Sequence, residues 1–307
     1  TKYLNKKLTS VFNPATSSAI PTFYTGLPPE QHEMTGWHMF VKEIGTQIIP
    51  LRFISRITGE SLGGDVDIRK IFNIKPFSNK IKRKSYIVNP NSFSHSDFNL
   101  ASAGKSKIVP YNEEKIEDFF NKIKTKIKRK EKKYIYAYYP NPDSLIHQYG
   151  SKHKKVISNI KKLEREFKKF LKQIKNTNTL IIITADHGLD DVKLPNRINV
   201  TKHPKLQECL SVPLCGDGKL GFAYVKPSKF KQFEKYCKTK LKKQVDLYKN
   251  TDFVKKFGLL KHGSRFLDRI GDYVMVLKEH YKINDYLINS EPSKNISTHG
   301  GFSKQEM

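Results

Sequence analysis

The ten residues TLIIITADHG (Thr179–Gly188) constrain this chain more than any other stretch. Leu180–Ile183 is apolar without alternation, the pattern of a strand covered on both faces in a parallel sheet. Asp186 and His187 follow at once, at the carboxyl end of that expected strand, where open α/β sheets hold their ligands. A carboxylate beside an imidazole suits a zinc-like ion. An Asp-His turn that only caps the next helix has the same sequence, so the pair takes its meaning from the rest of the chain.

The neighbouring segments read as the rest of such a sheet. Tyr134–Tyr139 is a second interior strand, and Ser151–Ile174 a long helix with Val156, Ile160, Leu163, Phe167, Phe170, Leu171 and Ile174 on one stripe. Strand, helix and strand in that order predict a right-handed βαβ crossover. Leu8–Phe12 reads as a short strand. Thr16–Thr25 reads as a helix stopped by Gly26-Leu27-Pro28-Pro29, and Ile44–Phe53 contains a strand. Glu113–Lys130 is a basic amphipathic helix, and Gly221–Val225, Pro227–Lys243 and Tyr273–Leu277 read as strand, helix and strand. The expected fold class is α/β, with a mostly parallel central sheet flanked by helices on both faces. One domain spans 1–307, and the polar, irregular stretch 55–110 is read as a small cap or insertion.

Composition narrows the classes. With 307 residues, 37% of them hydrophobic, the chain can bury a full core. No apolar run is long enough for a transmembrane helix. The formal charge is +28, mostly lysine, which attracts polyanions. The lysines are spread over nearly every helix, so any nucleic-acid binding is expected to be non-specific and to fade with salt. Cys209, Cys215 and Cys237 are odd in number and lack CxxC spacing. Free thiols in a reducing compartment, with the cytoplasm favoured, are the simplest account. The chain starts at Thr1 and ends at Met307 inside a motif, which reads as a piece of a longer protein and leaves an N-terminal targeting segment open.

Three further places could carry chemistry. Thr16, Ser17 and Ser18 open a helix, where free N–H groups and the dipole favour a phosphate; plain N-capping is the blander account. Asp143 and His147, four apart after a strand, can point at one ion, although solvated pairs of this spacing are common. His299 precedes Gly300 and Gly301, which suits a loop closing on a site and equally a simple turn.

Taken in order, SVFNPATSSAIPTFYTGLPPEQH, PDSLIHQYG, ITADHG, RIGDYVMV (Arg269–Val276) and THGGFSKQEM resemble the alkaline phosphatase superfamily, and within it the type I phosphodiesterase/nucleotide pyrophosphatase family. The resemblance runs from Leu8 to the last residue and covers Trp37–Ile108 poorly. It implies a hydrolase with Thr16 as nucleophile and Asp143, His147 and His299 on one divalent ion. Asp186 and His187 would help hold a second ion, with Thr16 bridging toward it. Zinc is the implied metal, with manganese as the alternative. The implied substrate is a small phosphate ester or nucleotide, cleaved through a phospho-threonine ester. Two departures stand out. The family has an aspartate ending a first strand some tens of residues before the nucleophile, whereas only fifteen residues, none acidic, precede Thr16. Eukaryotic members carry an asparagine three residues after the nucleophile, where this chain has Ala19. The superfamily's phosphomonoesterases and serine-dependent phosphoglycerate mutases stay open, since Ser17 adjoins Thr16. So does an inactive, polyanion-binding member. Sulfatases do not, because no cysteine here has a CxPxR setting.

Overall fold

The computed structural model describes residues 6, 8–285, 287 and 294–307. Helix α1 (Thr16–Thr25) opens after an extended Ala15 and closes at Gly26, whose N–H returns to Thr22 O at 2.8 Å. Strand β1 (Lys84–Pro90), helix α2 (Asp97–Ala103), strand β2 (Lys107–Tyr111), helix α3 (Ile116–Ile127) and strand β3 (Lys133–Ala137) follow. They form a three-stranded parallel sheet in the order β2-β1-β3, with Val88 opposite both Val109 and Ala137. Alternation along β1 sends its side chains to two different cores. Ile87 packs with Ile20 and Tyr24 of α1 and with Phe98 and Ala101 of α2. Tyr86 and Val88 pack with Phe119 and Phe120 of α3, and with Phe170 of helix α5 (Lys154–Gln173). Helices therefore cover both faces, as the α/β reading requires. Of the stretch 55–110, residues 84–110 run through β1, α2 and most of β2, inside this sheet and its covering layer.

Between β3 and α5 lies helix α4 (Asn141–Tyr149), so the helix expected over Ser151–Ile174 begins only at Lys154, where the His153 side chain caps it. Beyond α5 come strands β4 (Asp190–Asp191), β5 (Cys215–Asp217) and β6 (Leu220–Ala223), helix α6 (Phe230–Lys240), and strands β7 (Val245–Lys249), β8 (Tyr273–Leu277) and β9 (Ser297–Thr298). An antiparallel sheet runs β7-β8-β6-β5. Met275 and Ala223 pack on one side with Phe233 and Cys237 of α6. Val274 and Phe222 pack on the other with Phe253 and Phe266. Cys209, Cys215 and Cys237 are free and buried. No helix among the described residues is long and apolar enough to cross a membrane.

Two expected strands do not form. Leu180–Ile183 makes no ladder, and Leu180, Ile182 and Ile183 are 86%, 81% and 70% exposed. Only Ile181 turns inward, toward the α3–α5 cluster. A strand exists through the partner that takes its N–H and C=O groups, and no described strand pairs with this run. The expected βαβ crossover therefore stays open after α5, and Ile160 and Leu171 of the helix stripe are left exposed. Leu8–Phe12 is likewise irregular; Phe12 is held instead by Phe253, Phe266 and Phe302, with ring centroids 5.4, 6.0 and 6.3 Å away.

The RIGDYVMV segment opens on a partly buried ion cluster. Arg269 is fully buried, and its Nη1 and Nη2 donate to the two carboxylate oxygens of Glu43 at 2.8 and 2.7 Å, while Arg265 Nη1 adds a third bond at 2.9 Å. Burial pushes the Glu43 carboxyl up, but the hydrogen bonds from Arg269 and Arg265 outweigh it and hold the group at about 2. The folded value lies below the ordinary one. The stabilisation is therefore fully present above a pH of about 4.5 and is lost as pH falls toward 2. Glu43→Ala, which strands the buried Arg269 charge, is expected to cost about 3 kcal/mol in a urea melt at neutral pH. At the acid end of that window the two proteins should converge.

Candidate active site

Thr16 is the first residue of α1, and no side chain caps that terminus, so its hydroxyl is not spent on the helix. Thr16 Oγ1 lies 3.0 Å from His187 Nε2. The His187 ring is oriented by its other nitrogen, which sits 2.9 Å from Gly188 O. Asp186 Oδ2 is 3.5 Å from His187 Nε2. Thr16, Asp186 and His187 therefore share one corner, although Asp186 and His187 follow an irregular segment rather than a strand. The two adjacent hydroxyls differ in kind: Ser17 is fully buried, while Thr16 is partly open.

Asp143 and His147 lie one turn apart on α4. His147 Nδ1 sits 2.8 Å from Ser297 O, which leaves Nε2 facing Asp143 Oδ1 at 3.4 Å. His299 is delivered by β9, which pairs antiparallel with β4 through Ser297↔Asp191 and Thr298↔Asp190. This pairing docks the His-Gly-Gly turn against the segment that follows Asp186-His187-Gly188. The ring of His299 is 4.0 Å from that of His187 and 5.0 Å from that of His147, centroid to centroid. Asp143, His147 and His299 each offer a ligand atom within 4.8 Å of the others.

Thr16, Asp143, His147, Asp186, His187 and His299 thus converge on one place, and three of their atoms bear on what it could hold. Asp143 Oδ1, Asp186 Oδ2 and His299 Nδ1 are buried with no hydrogen-bond partner. Buried polar atoms rarely stay unpaired, because each costs its full desolvation. Burial, with His187 and His147 adding to it, holds His299 well below its ordinary value, so its ring is neutral and a lone pair is available. Burial raises the Asp143 carboxyl, with His147 and His187 opposing the shift. A mixed set of imidazoles and carboxylates, orphaned and packed together, fits a divalent cation of the zinc type.

Other residues of the site carried no signal that the sequence made legible. The Tyr138 phenol, five residues before Asp143, is near enough to the Thr16 side chain to sense it, and burial raises its pKa well above the ordinary value. Phe93 lies beside it, at 6.3 Å between centroids. Lys219 is fully buried, paired with Asp190 and 3.6 Å from Glu306. Glu306 Oε1 accepts from Gly301 N at 2.8 Å, and Glu306 O accepts from Gly188 N at 2.8 Å. The turns bearing His187 and His299 are tied to the same C-terminal segment.

Comparison with known proteins bears on family and fold. The family model for type I phosphodiesterase/nucleotide pyrophosphatase matches residues 2–302. Among curated proteins, nothing matches the sequence significantly. Among solved structures, murine ectonucleotide pyrophosphatase/phosphodiesterase 5 is similar with a TM-score of 0.72 at 19% identity, over 98% of this chain and 77% of that one. The human counterpart gives 0.71 at 19%, over 97% and 76%. Phosphonoacetate hydrolase from Sinorhizobium meliloti 1021, in complex with phosphonoformate, gives 0.66 at 16%, over 97% and 78%. At these identities the likeness speaks to the fold, an alkaline-phosphatase-like α/β architecture.

Proposed function

This chain belongs to the type I phosphodiesterase/nucleotide pyrophosphatase family, hydrolases of phosphoester and pyrophosphate bonds, and we propose that it cleaves nucleotide phosphodiesters in a metal-dependent reaction with Thr16 as nucleophile. The observation that carries this is the convergence of the partly open Thr16 hydroxyl with orphaned Asp143 Oδ1, Asp186 Oδ2 and His299 Nδ1. Asp143, His147 and His299 would hold one divalent ion, and Asp186 and His187, beside Thr16, a second. Zinc suits the donors best, with manganese as the alternative. Such ions lower the pKa of a neighbouring hydroxyl and stabilise charge on phosphoryl oxygens.

The chain's own residues supply the rest. The Thr16 and Ser17 backbone N–H groups, which precede the bond from Ser18 N to Ala15 O, would face the phosphoryl oxygens. Ala19 offers them no side-chain help, so the backbone carries this contact. The contact with His187 Nε2 at 3.0 Å orients the Thr16 hydroxyl. The Thr16 Oγ–phosphorus bond forms as the bond from phosphorus to the leaving oxygen breaks, and the threonine proton passes to solvent. Water then attacks phosphorus, and the Thr16 oxygen leaves with a proton. Ser17, fully buried one residue on, has no such access, which favours the threonine register over a serine-dependent mutase.

A nucleotide is the favoured substrate class because an inactive form of the murine relative was solved in complex with AMP. The test is parallel hydrolysis of a nitrophenyl nucleotide diester and a nitrophenyl monoester, with added zinc and with a chelator. Diester turnover that the chelator abolishes is expected. A preference for the monoester would move the chain to the phosphatase branch, and chelator-resistant turnover would remove the metal.

A further inference from the structure

Asp217 ends β5 and is anchored by that strand's register, Leu220↔Asp217 in the antiparallel sheet. Its Oδ2 accepts from Asn13 Nδ2 at 2.7 Å and from Trp37 N at 3.3 Å. Asn13 is fully buried, and its Nδ2 also donates to Thr35 O at 3.0 Å. Both amide protons are thus committed, which leaves Oδ1 buried without a partner. Asn13 O in turn accepts from Ala15 N at 2.7 Å, closing the turn that presents Thr16. On its other side Asp217 meets the turn that presents His299. Gly300 has φ +100°, and a Cβ there would lie 2.8 Å from Asp217 Cβ and 3.1 Å from Asn13 Oδ1. Only glycine fits between these two side chains. One side chain therefore touches both turns that present the site, Asn13–Thr16 and His299–Gly301, and refers them to the same sheet.

We propose that Asp217 is a positioning residue: by holding Asn13 and seating Gly300, it sets the separation between the Thr16 hydroxyl and the His299 ring. Asp217 touches neither substrate nor ion in this account and acts through the two turns. The role in turnover rests on the function proposed above. Catalytic groups must be held within fractions of an ångström of their working geometry, so a loose turn lowers kcat more than it raises KM.

The test compares wild type with Asp217→Ala, Asp217→Asn and Asn13→Ser. Three readouts are taken: calorimetric zinc affinity, kcat and KM for the diester, and amide hydrogen exchange over residues 15–17 and 299–301. Asp217→Ala is expected to weaken zinc binding about tenfold and to lower kcat about 10- to 100-fold with KM little changed, as removal of orienting partners does. Exchange in both turns should speed up together. Asp217→Asn keeps an acceptor for Asn13 and should stay within about threefold of wild type on every readout. Asn13→Ser, which removes the reach to Asp217 without emptying the turn, should reproduce the alanine phenotype and keeps the test alive if Asp217→Ala does not fold. A fall in melting temperature with zinc affinity, kcat and exchange unchanged would overturn the proposal, as would faster exchange in one turn only. If wild type itself shows neither zinc binding nor turnover, the proposed function fails, and the paired exchange response still decides whether the clamp exists.

Discussion

Thr16→Ala is expected to lower diester turnover by about 10,000-fold or more, because losing a nucleophile removes the covalent route altogether. The loss should be confined to chemistry. Thr16 Oγ1 contacts His187 Nε2 but lies outside the Asp143–His147–His299 group. Calorimetric zinc affinity at that group should therefore fall far less than turnover, since Thr16 is not one of its three donors. Thr16→Ser should keep part of the rate, because it retains the hydroxyl and loses only the methyl that limits its rotamers. A Thr16→Ala protein with near-normal turnover would transfer the nucleophile to a water molecule, and with it the reaction to a single displacement.

His299→Ala should weaken zinc binding by more than the roughly 10- to 100-fold that loss of an orienting partner costs, because it deletes a proposed direct ligand. His299 has the strongest structural case in the group. It is buried, its Nδ1 has no partner, and it lies between the rings of His147 and His187. Burial already keeps its ring neutral, so binding there requires no deprotonation at mildly acidic pH. Metal affinity measured from neutral pH down to about 5 should consequently not fall through any titration of this histidine. Asp143→Asn is the companion measurement. It preserves shape and removes the buried carboxylate charge, and should also weaken zinc. If His299→Ala bound zinc as wild type does, the metal would have to sit elsewhere.

The parts of the fold legible in the sequence are those whose cause is local. Helix α1 has the bounds that Gly26-Leu27-Pro28-Pro29 imposes, and β8 has those of the apolar run Tyr273–Leu277. The Asp143–His147 pair could be placed on one helical face because the four-residue spacing does so wherever the helix forms. Leu180–Ile183 shows the limit. Its composition is that of a buried strand, but strand formation is decided by the neighbour across the ladder, and none among the described residues is there. The residues that brace the site were hidden for a related reason. Asp217 meets Asn13 across 204 positions, and Lys219 meets Asp190 across 29. A lone Asp or Lys in a Gly-rich stretch looks like any surface turn until the sheet brings its partner. Tyr138 stands at the end of an aromatic strand, where an aromatic residue looks like core.

The most direct measurement is acid-quenched mass spectrometry of the peptide carrying Thr16, after brief reaction with a nucleotide diester in the presence of zinc. The account predicts a nucleotidyl mass on Thr16 that is absent with chelator and absent in Thr16→Ala. Steady zinc-dependent turnover with no adduct at any quench time, and with Thr16→Ala as active as wild type, would contradict it.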